Sequence, residues 1–157
     1  MMYQFQCDYN EGAHPRILER LVETNFEQTV GYGEDHYCRK AADLIRTACG
    51  NPDADVHFLV GGTQANATVI SSVLRPYQGV ICARTGHINV HETGAIEHGG
   101  HKVLAVGSRD GLLAAESIQE VMDLHFAEDG PEHTVQPGMV YISFSSETGT
   151  VDGWKIV

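Results

Sequence analysis

Apolar positions change period several times along the chain, and each change predicts an element. Ile17, Leu18, Leu21 and Val22 fall on one helical stripe, and Pro15 suits a first turn, so a helix is predicted from His14 to about Asn25. Gly31-Tyr32-Gly33 reads as a loop. Ala41, Leu44, Ile45 and Ala48 share the next helical face. They predict a helix from His36 to Cys49, stopped by Gly50 and Pro52. Val56 to Val60 is a short apolar run of strand type, followed by Gly61-Gly62-Thr63 and a helix from about Gln64 to Leu74. Val80 to Ala83 predicts a strand, Ile88 to Glu97 a helix, and Lys102 to Val106 a strand closed by a turn at Asp110-Gly111. A helix is predicted from Ser117 to Phe126 with Ile118, Val121, Met122 and Leu124 inward, then a strand from Met139 to Phe144. Ala127 to Pro137 is polar, with two prolines and a glycine, and reads as a surface loop.

Strands and helices alternate. That order implies an α/β fold of βαβ units with right-handed crossovers, a mostly parallel sheet and helices on both faces. The length of 157 residues suffices for one domain with a real core. No internal repeat or low-complexity segment interrupts it. No run approaches the roughly 18 apolar residues of a membrane helix, so no membrane is expected. Met1 to Cys7 lacks a basic start followed by an apolar stretch, so the expected location is cytoplasmic. The net charge of −11, with only ten Lys and Arg, argues against a nucleic-acid surface. An anionic ligand would have to be held by backbone dipoles and a few side chains. Cys7, Cys38, Cys49 and Cys82 contain no C-x-x-C pair and read as reduced, partly buried thiols.

The strongest local signal is Val60-Gly61-Gly62-Thr63-Gln64-Ala65-Asn66-Ala67, in which a strand pattern meets glycines and then a helix. Glycines let backbone N–H groups approach an anion, the helix start adds partial positive charge, and Thr63 offers a hydroxyl. Neither a Walker A loop nor the G-x-G-x-x-G fingerprint is present. A plain tight turn capped by Thr63 would have the same sequence. The second signal is Gly86-His87-Ile88-Asn89-Val90-His91-Glu92-Thr93-Gly94-Ala95. His87 would stand just beyond the carboxyl end of a strand, where open α/β sheets bind ligands. There it could stack on a flat ring, move a proton, or simply cap the helix. His87, His91, His98 and His101 raise metal binding as a rival chemistry. No H-E-x-x-H or cysteine at ligand spacing supports it, so no metal is expected. No G-x-S-x-G elbow supports serine catalysis. Ser145-Ser146-Glu147 after the last strand would be polar site-edge residues or an ordinary loop.

In this order the motifs resemble the threonine aldolase and β-eliminating lyase family, fold type I of the pyridoxal-phosphate (PLP) enzymes. The likeness runs from about Tyr3 to Val151. Asp8-Tyr9-Asn10-Glu11-Gly12 with Pro15 is similar to the family's N-terminal strip, and Tyr32-Gly33-Glu34-Asp35 to its Tyr-Gly-x-Asp loop. Gly61-Gly62-Thr63-Gln64-Ala65-Asn66 resembles the phosphate-binding turn. Gly86-His87-Ile88 with Glu92-Thr93-Gly94-Ala95 resembles the segment whose histidine stacks on the cofactor. Ser146-Glu147-Thr148-Gly149-Thr150 resembles the Thr-Glu-x-Gly-Thr turn. The resemblance implies the N-terminal part of the fold type I large domain over residues 1–151. It implies PLP held by Gly61, Gly62 and Thr63, with His87 on the ring and Glu92 ordering that pocket. It implies an amino-acid substrate met by Asp8, Asn10 and Tyr32, and cleavage of threonine or allo-threonine to glycine and acetaldehyde.

The likeness breaks at Asp152, and 152–157 reads as a divergent tail. In the family, the Schiff-base lysine and the carboxylate facing the pyridine nitrogen lie beyond this point. Lys40, Lys102 and Lys155 are the chain's lysines, and none stands where the family places its own. The expectation is therefore a truncated member that is inactive alone. A non-catalytic phosphate- or PLP-binding remnant is the alternative. Family sheets pair the first strand beside the last. The run from Val56 to Val60 is thus expected to leave an open apolar edge, and the chain to self-associate or form a homo-oligomer.

Overall fold

The computed structural model describes Cys7 and residues 9–127 and 129–151. The chain divides into two compact units, Met1–Phe58 and Leu59–Val157.

The first unit holds two helices. α1 spans Pro15–Thr24, with proline in its first turn and the His14 ring accepting from the Arg16 amide at 3.2 Å. α2 spans His36–Cys49, the bounds that its apolar period predicts. The Asp35 carboxylate caps it by accepting from the Tyr37 and Cys38 amides, both at 2.9 Å. Gly50 ends it in the left-handed region at φ 65°, where a glycine avoids the steric cost of a β-carbon. The stripes that predicted these helices remain exposed: Ile17, Leu18, Leu21 and Val22 on α1, Leu44 and Ile45 on α2. Ala42 is the buried residue of α2.

In the second unit, α3 spans Gly62–Val73 and starts two residues earlier than predicted. Next come β1 (Gln78–Ala83), α4 (His87–Val90), α5 (Ala95–His98), β2 (Val103–Val106), α6 (Ala115–Ala127) and β3 (Gln136–Val140). The strands form a parallel sheet in the order β2-β1-β3. Parallel neighbours make β1 the central strand, buried on both faces, as its unbroken apolar run requires. Its side chains alternate between two cores. Val80 and Cys82 join Ile70 of α3 and Leu74 just beyond its end, Ile88 of α4 and Ile96 of α5. Ile81 and Ala83 face the other way, with Leu113 and with Ile118 and Val121 of α6. Helices thus cover both faces. Each buried isoleucine contributes about 1.5–3 kcal/mol. The strand also needs Gly79, because a β-carbon there would lie 2.6 Å from the Lys102 carbonyl oxygen and 2.8 Å from Val135 Cγ1.

Four predictions need correction. Val56–Val60 pairs with no strand among the described residues, and Phe58, Leu59 and Val60 are exposed. A strand exists only where a neighbour satisfies its N–H and C=O groups, and none does so here. The helix predicted over Ile88 to Glu97 is split into α4 and α5, because Thr93 at φ 56° and Gly94 at φ 73° turn left-handed between them. The last strand begins at Gln136 instead of Met139. It admits Pro137 because β3 lies at the edge of this sheet. Only the Tyr141 amide extends it, donating to the Ile81 carbonyl at 2.8 Å. On α6, Leu124 is exposed and His125 takes the inward place, its Nδ1 2.8 Å from Thr134 Oγ1.

Candidate functional site

In a parallel sheet every strand ends at the same edge, so the segments leaving β1, β2 and β3 gather there. His87 follows β1 and opens α4. Its backbone N–H donates to Glu147 Oε1 at 2.8 Å, and Glu147 belongs to the segment leaving β3. The Ser143 hydroxyl donates to the same carboxylate oxygen. A cavity of about 20 Å³, room for one water molecule, lies between Gly86, Ser143 and Glu147. Behind β2, the Asp110 carbonyl accepts from the Thr148 and Thr150 hydroxyls at 2.6 and 2.8 Å. These bonds fix the turn Ser146–Thr150, whose Gly149 sits at φ 79°. The segment leaving β3 is thereby tied both to the one leaving β1, at His87, and to the one leaving β2, at Asp110.

The His87 ring is held separately. Its Nδ1 lies 2.9 Å from Glu92 Oε1, and that oxygen also accepts from Asn66 Nδ2 at 2.5 Å. The Glu92 side chain is fully buried, whereas that of His87 is 45% exposed. The ring is therefore gripped from inside and presented outside. A buried carboxylate is costly unless hydrogen bonds satisfy it. Here Oε1 has two partners, while Oε2 is buried with none. Asn66 lies on α3, one turn after the glycines.

The glycine turn is open. Gly61 is the N-cap of α3 with extended backbone, and no side chain caps the helix. Thr63 is the second residue of the helix, so the reading in which it caps the turn does not hold. The first helical bond runs from the Ala65 amide to the Gly61 carbonyl at 3.0 Å, so the amides of Gly62, Thr63 and Gln64 precede the ladder. Gln64 Oε1 accepts from the Val60 amide at 2.9 Å, holding the incoming chain back from the turn. A β-carbon built on Gly61 or Gly62 would meet no atom within 4 Å. These glycines are not needed for local packing.

The structure thus brings together His87 and Glu92, and joins them through Asn66 to the helix that carries Gly61, Gly62 and Thr63. Asn10 and Tyr32 belong to the first unit. Asn10 accepts from the Cys7 thiol at 3.0 Å, and Tyr32 is fully exposed at φ 62°. Asp8 lies outside the described residues. The contact of Asn66 with Glu92 and that of Glu147 with the His87 amide come from the structure alone, although Glu147 was read as a site-edge residue and both stand inside motifs already singled out. Of the other histidines, His91 is exposed with its ring centroid 5.4 Å from that of His87, His98 is exposed, and His101 is buried with Nδ1 3.2 Å from the Gln78 carbonyl oxygen. Among the described residues no group of three or more His, Cys, Asp or Glu is arranged to hold a metal ion.

The model of the family described as β-eliminating lyase matches residues 4–152. The chain belongs to the β-eliminating lyase family. It is 32% identical over 154 residues to a low-specificity L-threonine aldolase of a Pseudomonas species, covering 94% of this chain and 42% of that protein. It is 29% identical over 154 residues to the same kind of enzyme from Pseudomonas aeruginosa, with the same coverage. A solved structure of Leishmania major threonine aldolase superposes with a TM-score of 0.86 at 46% identity, over 92% of this chain and 41% of that one. The chain therefore spans about two-fifths of the length of these relatives. The family implies PLP as cofactor. The residues present fit it: an uncapped helix start with open glycines suits a phosphate, and a half-exposed imidazole braced by a buried carboxylate suits a flat ring.

Proposed function

We propose that this chain forms the phosphate seat and ring-facing wall of a PLP-dependent aldehyde-lyase of the threonine aldolase type. The single observation that carries the proposal is the clamp on His87, with its ring fixed by buried Glu92 and its backbone by Glu147. Gly61, Gly62 and Thr63 would hold the phosphate through the first-turn amides of α3 and the Thr63 hydroxyl. His87 would lie against the pyridine ring. When bound, PLP supplies an electron sink for breaking the Cα–Cβ bond of a β-hydroxy-α-amino acid. Threonine and allo-threonine are the proposed substrates, with glycine and acetaldehyde as products.

The chain's own contribution is binding and orientation. Backbone amides hold a dianion without lysine or arginine, which agrees with the acidity of the protein. The clamp prevents the His87 ring from rotating away when a ligand meets it. The Schiff-base lysine and the carboxylate for the pyridine nitrogen are proposed to come from the part of the relatives' length that this chain does not span. Asn10 and Tyr32 take no part in this proposal.

The test is a titration of the 157-residue chain with PLP, followed by cofactor fluorescence and by amide chemical shifts at Gly62 and Thr63. Saturable binding, weaker for pyridoxal without its phosphate, is expected. Absence of saturable binding overturns the proposal. Incubation with PLP and L-threonine is expected to release no glycine. Release would show that the chain turns over alone and would refute its dependence on the remaining length.

A further inference from the structure

We infer that Asn66 is a positioning residue that sets the protonation pattern of His87 through Glu92 and joins it to the phosphate turn. The inference deepens the function proposed above and rests on that reading for its ligand. Its first half concerns the protein alone.

The chemistry follows from one oxygen. Glu92 Oε1 accepts from Asn66 Nδ2 at 2.5 Å and lies 2.9 Å from His87 Nδ1. An amide NH2 can only donate. Its donation therefore leaves Oε1 the acceptor in that contact. Protonation at Oε2 would place an O–H in a buried position with no acceptor, since that atom has no partner. With Glu92 ionised, Oε1 can only accept, so the proton of the neutral imidazole must lie on Nδ1. Nε2 is then the nitrogen that carries a lone pair. Without Asn66 this preference weakens, and His87 drifts towards the Nε2–H form favoured by imidazoles in water.

The same residue links two parts of the site. Gly62 and Asn66 are four apart on α3, so they lie on one face about one turn from each other. An anion seated on the first-turn amides fixes α3 at one end. Asn66 fixes Glu92, and through it the His87 ring, one turn along. Phosphate seat and ring wall are thus held by one rigid segment.

The experiment uses imidazole nitrogen shifts of the ¹⁵N-labelled chain, in which each neutral tautomer has a distinct signature. His101 and His125 are internal controls, because both are buried with Nδ1 bonded elsewhere, to the Gln78 carbonyl and the Thr134 hydroxyl. In the wild-type chain at alkaline pH, His87 is expected as Nδ1–H. In Asn66→Ala it is expected to shift towards Nε2–H, with His101 and His125 unmoved. PLP binding to the variant should weaken by roughly tenfold, the factor supplied by one hydrogen bond to a charged group. Inorganic phosphate binding should be unchanged.

An Nε2–H wild-type His87 overturns the inference without recourse to any variant, so a poorly folded variant cannot shelter it. An unaltered His87 pattern in a variant whose control histidines are native overturns it as well. If neither protein binds PLP, the functional reading fails while the tautomer result still decides the role of Asn66. Loss of phosphate binding in Asn66→Ala would assign the residue to the turn itself and refute its action through Glu92.

Discussion

A β-carbon added to Gly62 meets nothing within 4 Å, whereas one added to Gly79 would stand 2.6 Å from a backbone oxygen. The two glycines serve different ends, packing at Gly79 and access at Gly62. Gly62→Ala should leave thermal stability within about 0.5 kcal/mol of wild type, since alanine is welcome in a helix. It should nevertheless weaken PLP binding, because the new methyl occupies space left free beside the amides. Parallel melting and titration curves check this, and a variant that binds normally contradicts the seat. Cys82 gives a second residue-scale prediction. Burial pushes its thiol up to about 11, with Glu147 and Glu97 adding to the rise. The thiolate is the nucleophile, so alkylation at pH 8 should label exposed Cys49 and spare Cys82 in the folded chain. A thiol neutral in the fold but ionising near its ordinary value of 9.0 when unfolded favours the unfolded chain above that value. Stability should therefore decline as pH rises from about 9 to about 11. A Cys82→Ala comparison under urea would reveal the difference.

Among the elements, α2 was legible to the residue because period and stop agree, apolar spacing along it and Gly50 and Pro52 after it; the structure adds the Asp35 cap. The strands β1 and β2 were legible from short apolar runs followed by turns. The break between α4 and α5 was not, since Thr93 is a β-branched residue in the left-handed region, which no local propensity foretells. The strand expected at Val56–Val60 failed for a different reason. Composition shows what could pair, but pairing needs a neighbour that the described residues do not provide. The site was legible in its types, His87, Glu92 and the glycines, because each belongs to a compact motif. Asn66 and Glu147 gain meaning only when 26 and 60 residues of intervening chain bring them to Glu92 and His87. Asp35 adds a prediction at this scale. Hydrogen bonding by the Cys38 thiol, then by the Cys38 amide, holds its carboxyl below the ordinary value of 3.8. A depressed acid stabilises the fold above its ordinary value and ceases to do so as pH falls through the lowered one. Protection of the Tyr37 and Cys38 amides, measured against the exchange rate of the unfolded chain at the same pH, should fall on acidification below about pH 4. In Asp35→Ala it should be low at every pH. Protection that stays constant on acidification would mean the cap contributes nothing.

At the scale of the whole molecule, apolar surface is abundant. In the first unit Leu21 and Val22 are exposed, and in the second Val140, Ile142 and Phe144 repeat at every other residue beyond and within β3. Exposed apolar surface on this scale favours association. The protein should sediment as a concentration-dependent mixture at neutral pH, and raised salt should not dissolve the assemblies. Leu21→Lys should shift the distribution towards monomer if α1 contributes. A wild-type chain that sediments as one species at all loadings would remove self-association from its properties.

The four-residue interval from Gly62 to Asn66 has a consequence for what variation this helix tolerates. Each residue of an α-helix turns the next by about 100° and advances it by about 1.5 Å. One residue inserted between Thr63 and Asn66 would leave composition, charge and helicity almost untouched. It would also swing the amide about a quarter-turn away from Glu92. The length of α3 behaves like the tooth count of a gear: a change of one puts two otherwise intact parts out of mesh.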